Sequence, residues 1–339
     1  MRIAFNLLNC GLGNNGGSQT IIRMANELSK LGNDVNILIN QPNRFTWFDI
    51  PENLILRIKD EIPQFDIIIA TGCSTVDSTI AYELLPIEKK FYWIRAIEDW
   101  AMPMNKLILG YISGLNLIVN SEWQRRFIYD RTGIISSLIY SGLPIDEIYE
   151  KIEMASNDYV INGVEYTGIN VGALASKKSR KRFKDVIDIA HKLNEKKILN
   201  KLILISNEQI ETPDNINTEV IVQPDMLNKI KAMYECDVWL STTINEGLHI
   251  PPLEAGLSGC LLVSRDREES GVSDYCVNNF SSLNYLDNNE AVNQIIKFSK
   301  MKTRERTFIN DNFNSIVHNK IGTVRNNAKK MLKVFRDGI

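Results

Sequence analysis

Two carboxylates, Glu246 and Glu254, flank the run Glu246-Gly247-Leu248-His249-Ile250-Pro251-Pro252-Leu253-Glu254. The run follows an apolar segment expected to be a strand ending near Ser241. It opens a helix whose first turn contains Pro252, a position where the missing N–H is not needed. Unpaired backbone N–H groups at such a turn make an anion site suited to a nucleotide diphosphate. With Glu246 in the loop and Glu254 in the first helical turns, both carboxylates can face one crevice at the carboxyl edge of a parallel sheet. Carboxylates placed there can take paired hydrogen bonds from sugar hydroxyls. The competing assignment is a plain helix start with two acidic residues complementing the helix dipole.

Three further groups of residues carry candidate chemistry. Gly11-Leu12-Gly13-Asn14-Asn15-Gly16, followed by Gly17, lies between an apolar run and an amphipathic stretch and formally satisfies G-x-G-x-x-G. A nicotinamide site of that kind also needs an acidic residue at the end of the second strand, but the strand through Val35 to Ile39 ends in Asn40 and Gln41. The basic cluster Lys177, Lys178, Arg180, Lys181 and Arg182 offers cations for a departing phosphate, and Lys178 or Lys181 is the favoured partner. Its alternative is a solvated basic helix start. The third group, Tyr92 to Trp100, contains Arg95, Glu98 and Asp99. No metal site is expected, because His191, His249 and His318 are far apart and no Asp-x-Asp pair is present.

These residues need a scaffold of alternating strands and helices. In the first half the strand candidates are Ile3 to Leu8, Val35 to Ile39, Leu54 to Ile58, Ile67 to Ala70, Phe91 to Ile94, Leu115 to Val119 and Ser137 to Tyr140, with a helix from Ser18 to Leu31 stopped by Gly32. The polar stretch Asp146 to Gly163 carries no clear strand and marks the domain boundary, with a hinge over 141–165. The second half predicts strands at Gly168 to Leu174, Leu202 to Ser206, Val220 to Val222, Val238 to Ser241 and Leu261 to Ser264. Its helices are expected at Arg182 to Leu193, Leu227 to Glu235 and Pro252 to Gly256. Ile321, Val324, Ala328, Met331, Leu332 and Phe335 give the tail, Lys320 to Phe335, a helical apolar face.

Composition agrees with a folded α/β protein: 339 residues, 44% hydrophobic and 24% charged, room for two domains of ordinary size. No apolar run approaches the roughly 20 residues of a bilayer-spanning helix, so no stable membrane insertion is expected. The net charge is −2, and residues 1–150 hold 13 basic against 17 acidic residues, which argues against broad docking on nucleic acid or anionic lipid. Five cysteines, odd in number and without CxxC spacing, fit a reducing, cytoplasmic setting.

The 246–255 run resembles the Glu-x7-Glu signature of the large retaining GT-B glycosyltransferase family (family 4-like, group 1). Gly16-Gly17 and the helix after it resemble that family's N-terminal glycine turn, and Gly142-Leu143-Pro144-Ile145-Asp146 resembles its Asn-Gly-Val-Asp hinge. Val171-Gly172 resembles its second-domain phosphate strand, and Tyr234 to Leu240 its Tyr then Ala-Asp-Val run, with Cys236 in the Ala place. The resemblance covers roughly residues 1–300. It implies that Glu254 binds the donor ribose, that Glu246 lies against the donor sugar, and that Gly247 and the amides of Leu248, His249 and Ile250 meet the diphosphate or sugar. Gly16 and Gly17 would let backbone approach the donor phosphate closely. Two departures stand out: Ala173 occupies the place of the family's arginine, and no histidine occurs at Tyr92 to Trp100, so Arg95, Glu98 or Asp99 would have to position donor or acceptor.

The expected fold is therefore α/β of the GT-B type, with two Rossmann-like domains facing across a cleft and a C-terminal helix crossing back to the first. The expected extents are an acceptor-side domain over 1–150, a nucleotide-sugar domain over 151–319 and the crossing helix over 320–339. The expected activity is metal-independent transfer of a sugar from a UDP- or GDP-sugar, with retention and no cofactor besides that donor. Glu246, Arg95 and Asp99 are the catalytic candidates. The acceptor is left open among glycan, lipid, protein and modified nucleobase. The alternatives are an NAD-dependent oxidoreductase, a non-catalytic GT-B sugar-binding protein, and an epimerase or phosphorylase on the same fold.

Overall fold

A computed structural model describes residues 1–59, 61–162, 168–266 and 269–337, with the side chains of 158–162 left out of the description. The chain divides into two compact units, Met1–Leu143 with Ile321–Ile339, and Pro144–Lys320.

The first unit is built on seven strands: β1 (Arg2–Asn6), β2 (Asp34–Ile39), β3 (Ile55–Arg57), β4 (Ile67–Ala70), β5 (Lys90–Ile94), β6 (Asn116–Val119) and β7 (Ser137–Leu138). They pair in the order β3-β2-β1-β4-β5-β6-β7, every pair parallel. Central strands of such a sheet are covered on both faces and read as continuous apolar runs, as β4 does with all four residues buried. Its helices are α1 (Gly16–Lys30), α2 (Val76–Ile80), α3 (Met104–Tyr111) and α4 (Glu122–Thr132). Helix α1 starts where the Asn15 side chain accepts from the Ser18 N–H at 2.9 Å, and Gly32 at φ +85° turns the chain out of it.

The second unit opens with α5 (Ile145–Asn162) and then alternates β8 (Ile169–Ala175), α6 (Phe183–Glu195), β9 (Leu199–Ser206), β10 (Thr218–Val222), α7 (Met226–Tyr234), β11 (Val238–Ser241), α8 (Ile250–Leu257), β12 (Leu261–Arg265) and β13 (Leu283–Tyr285). Helices α9 (Asn288–Lys300) and α10 (Thr303–Ile316) follow. The strands form a parallel sheet ordered β10-β9-β8-β11-β12-β13. The core lies between this sheet and α6 and α9, with Val171, Leu204, Leu240 and Val263 meeting Val186, Ile189, Ile295 and Phe298.

The last helix, α11 (Val324–Asp337), belongs to the first unit. Val324, Ala328, Met331, Leu332 and Phe335 join Ile21, Ala25 and Leu28 of α1 over Ile3, Phe5 and Phe91 in one core. It begins at Val324 rather than Lys320, because Val317–Ile321 form a separate π-type turn. Of the stretch expected to be a boundary from Asp146 to Gly163, the residues up to Asn162 instead belong to helix α5, and the change of unit falls at Leu143/Pro144, ahead of residue 150. The final residues of the expected hinge, 163–165, lie outside the described residues.

Candidate functional site

In an open parallel sheet the crevice for a ligand forms where the strand order reverses, outside the carboxyl ends of the strands. In the second unit that point lies between β8 and β11. The loop after β8 carries the basic cluster and the loop after β11 carries the 245–250 run, so the topology alone brings Lys177 to Arg182 beside Glu246. Two hydrogen bonds lock the loops together: Ile244 N–H donates to the Arg180 carbonyl at 3.0 Å, and Thr242 Oγ1 donates to the Lys181 carbonyl at 2.9 Å.

Lys181 Nζ lies 2.8 Å from Glu246 Oε1, with Arg180 Nε at 3.5 Å from the same oxygen. Burial raises the Glu246 pKa, but Lys181, His249 and Arg180 outweigh it and leave the carboxyl at about 2. The carboxylate is therefore kept ionised although it is largely withdrawn from bulk water. The loop is held from behind by Gly271, whose N–H donates to the Glu246 carbonyl at 3.0 Å. A Cβ on Gly271 would lie 1.5 Å from the Gly247 carbonyl oxygen, so only glycine permits this approach.

Helix α8 starts at Ile250 with Pro251 and Pro252 in its first turn. Glu254 on it is 2% exposed, and its Oε1 accepts from Lys229 Nζ of α7 at 2.7 Å. The pairing meets the need for a partner that any buried carboxylate has. His249 caps the helix at φ 56°, is buried, and its carbonyl accepts from the Tyr275 hydroxyl at 2.8 Å. Burial, Lys181 and Arg180 push its imidazole down to about 3, so it is neutral at physiological pH.

In the first unit the corresponding reversal lies between β1 and β4. Gly16 and Gly17 open α1 beside it. Arg95, just past β5, donates through Nη1 to the Gly17 carbonyl and through Nη2 to the Thr71 carbonyl. Its guanidinium thus ties together the two loops of the reversal. Glu98 Oε2 accepts from the Cys73 N–H at 2.6 Å, and burial together with Glu98 pushes the Cys73 thiol up to about 12. Asp99 is exposed.

No protein-family model and no curated protein matches the chain by sequence. Solved structures do match in shape. HepE from Anabaena, in complex with UDP and glucose, superposes with a TM-score of 0.75 at 14% identity, over 99% of this chain and 100% of that one. Sucrose-phosphate synthase from Thermosynechococcus elongatus gives 0.76 at 12% identity, over 99% and 98%. The chain has the GT-B fold. WaaG, a glycosyltransferase involved in lipopolysaccharide biosynthesis, shares it with a TM-score of 0.70 at 12% identity, over 99% and 100%.

Within this GT-B chain the expected site residues fall into separate sets. Lys181, Glu246, Gly247, Leu248, His249 and Ile250 converge at the second unit's reversal, and Glu254 follows on α8. Lys178 is exposed on the same loop. Gly16, Gly17 and Arg95 converge in the first unit. Lys229, Gly271 and Tyr275 escaped sequence reading because they sit on other elements, with nothing local to mark them. Arg180 is part of the basic cluster, and only the fold shows that it faces Glu246. Among the described residues no group of three or more His, Cys, Asp or Glu could hold a metal ion, and no helix is long and apolar enough to cross a membrane.

Proposed function

We propose that the chain is a glycosyltransferase that moves a sugar from a UDP- or GDP-sugar to an acceptor, with the donor held by the second unit. The observation that carries this reading is the half-buried, ionised Glu246 paired with Lys181 at the β8/β11 reversal, next to the start of α8. One GT-B neighbour supports the choice of donor: HepE has been captured with UDP and with UDP-glucose.

The division of labour in this proposal rests on the site's geometry and on the resemblance to the retaining GT-B family. Lys181 carries three donors, so it can hold Glu246 and a phosphate oxygen together, with Lys178 in reserve on the same loop. Their charge neutralises the departing diphosphate without a divalent ion. Amides at the start of α8 receive phosphate or sugar oxygens. Glu246 orients the sugar and stabilises positive charge growing at the anomeric carbon, a contribution made chiefly in the transition state. Glu254, held by Lys229, accepts from the ribose hydroxyls. The departing diphosphate takes the acceptor's proton on the same face, so configuration is retained and no protein nucleophile is needed. Arg95 acts as a positioning residue, fixing the Gly16-Gly17 turn through main-chain carbonyls.

Thermal denaturation with a panel of nucleotides and nucleotide sugars, in the presence of EDTA, tests this reading. A UDP- or GDP-sugar is expected to raise the Tm with chelator present. Stabilisation by NAD alone, or only after a divalent ion is restored, contradicts it.

A further inference from the structure

We propose that the His249 side chain reads the transferred sugar, its Nε2 bonding a hydroxyl of the donor's sugar ring and making His249 a specificity-determining residue. The inference rests on the donor site proposed above and concerns a side chain to which that site gives no task.

Three observations point the same way. His249 sits at φ 56° and ψ 75°, in the left-handed region where a residue with a Cβ is strained and glycine is not. Strain of this kind persists where the surroundings over-determine it, as the Tyr275 hydroxyl does here by holding the His249 carbonyl. His249 is 6% exposed, and its buried Nε2 has no hydrogen-bond partner among the described residues. An unsatisfied buried polar atom is rare in a folded protein and marks a place where a ligand or water completes the bonding. Finally, the ring shares its surroundings with Glu246, Lys181 and Arg180, the charges that define the site.

Chemistry selects a hydroxyl over a phosphate oxygen. Nδ1 lies 3.4 Å from Ser241 Oγ, and a serine hydroxyl can donate to it or accept from it. A neutral imidazole therefore presents either a donor or an acceptor at Nε2, according to tautomer. A sugar hydroxyl, which both donates and accepts, satisfies either form; a phosphate oxygen satisfies only one. The same hydroxyl-bearing face can donate to the acceptor-only carboxylate of Glu246, so the two residues together grip a neutral sugar.

Isothermal titration in EDTA with UDP, UDP-glucose, GDP and GDP-mannose, on wild type and the variants His249→Gly and His249→Gln, tests this. His249→Gly removes the ring and relieves the backbone, so its Tm at pH 7 is expected to be no lower than wild type. It should bind the bare nucleotide within about twofold of wild type while losing about tenfold in affinity for the sugar-bearing donor. His249→Gln, which keeps a neutral donor and acceptor, should recover part of the loss. Equal weakening of nucleotide and sugar nucleotide overturns the inference, as does an unchanged affinity for both. So does a wild type in which the sugar adds nothing to the affinity of either nucleotide. A wild type that binds none of the four ligands refutes the donor site itself.

Discussion

Glu246 and His249 are opposite cases of one electrostatic problem. Both are largely withdrawn from water, but the carboxylate keeps its charge because Lys181 and Arg180 face it, and the imidazole loses its charge to burial and to those same cations. The consequence for pH follows from the sign. His249 is depressed from 6.5 in the unfolded chain to about 3 in the native state, so below pH 6.5 the unfolded chain binds a proton that the folded one refuses. Its contribution is fully present above pH 6.5 and is lost as pH falls towards 3. Between pH 6.5 and 5 this loss is about 2 kcal/mol. The fall in Tm over that window should be visibly smaller in His249→Gly than in wild type; parallel falls would show that the imidazole is not held neutral. Sequence alone could isolate Glu246, His249 and Glu254, because their spacing is local. It could not supply Lys229, which meets Glu254 from 25 residues away, or Gly271 and Tyr275, which support the loop from behind.

At the scale of elements, the strands were the most readable feature. Buried parallel strands are short apolar runs, and Ile67–Ala70 and Val238–Ser241 lie where those runs begin and end. Helix α5 was not recognised because its polar residues resembled a linker. Among its described side chains the buried hydrophobic positions, Ile145, Ile148 and Ala155, follow helical spacing too sparsely to dominate. Strand β13 has only three residues and a polar surround, below what alternation can reveal. The loops that form the site depend on close approach, and here a single methyl group is decisive. Gly271→Ala would drive a Cβ into the Gly247 carbonyl, so the 246–249 loop must move. The expected result is a lower Tm together with a raised donor KM and reduced kcat, read from steady-state kinetics. Unchanged kinetics would mean that the loop's backbone position is immaterial to donor binding.

At the scale of the molecule, the tail returns to the unit that began the chain, and the sequence hinted at this through an apolar helical face left over after the second sheet. Phe335 shows what that helix does: it is 2% exposed and meets Phe91 edge-to-face at 4.8 Å. Phe335→Ala should destabilise the protein by about 3–5 kcal/mol in denaturant titration. UDP affinity should change little, because the proposed donor residues lie in the other unit; a large loss of affinity would argue against placing the donor there. The α/β layout was legible from the repeated strand-and-helix rhythm and the GT-B type from the resemblance of the Glu246 to Glu254 run, but the division at Leu143/Pro144 was obscured because helix α5, which follows it directly, reads as a linker. The most direct test of the whole account is phosphorus NMR of a UDP- or GDP-sugar incubated with the protein in EDTA, with water or an added sugar as acceptor. Wild type should convert the donor to free nucleoside diphosphate, Glu246→Gln should do so about 100-fold more slowly at saturating donor, and Glu254→Ala should chiefly need more donor. Donors that bind but remain intact with wild type would contradict glycosyl transfer and leave a sugar-nucleotide-binding protein in its place.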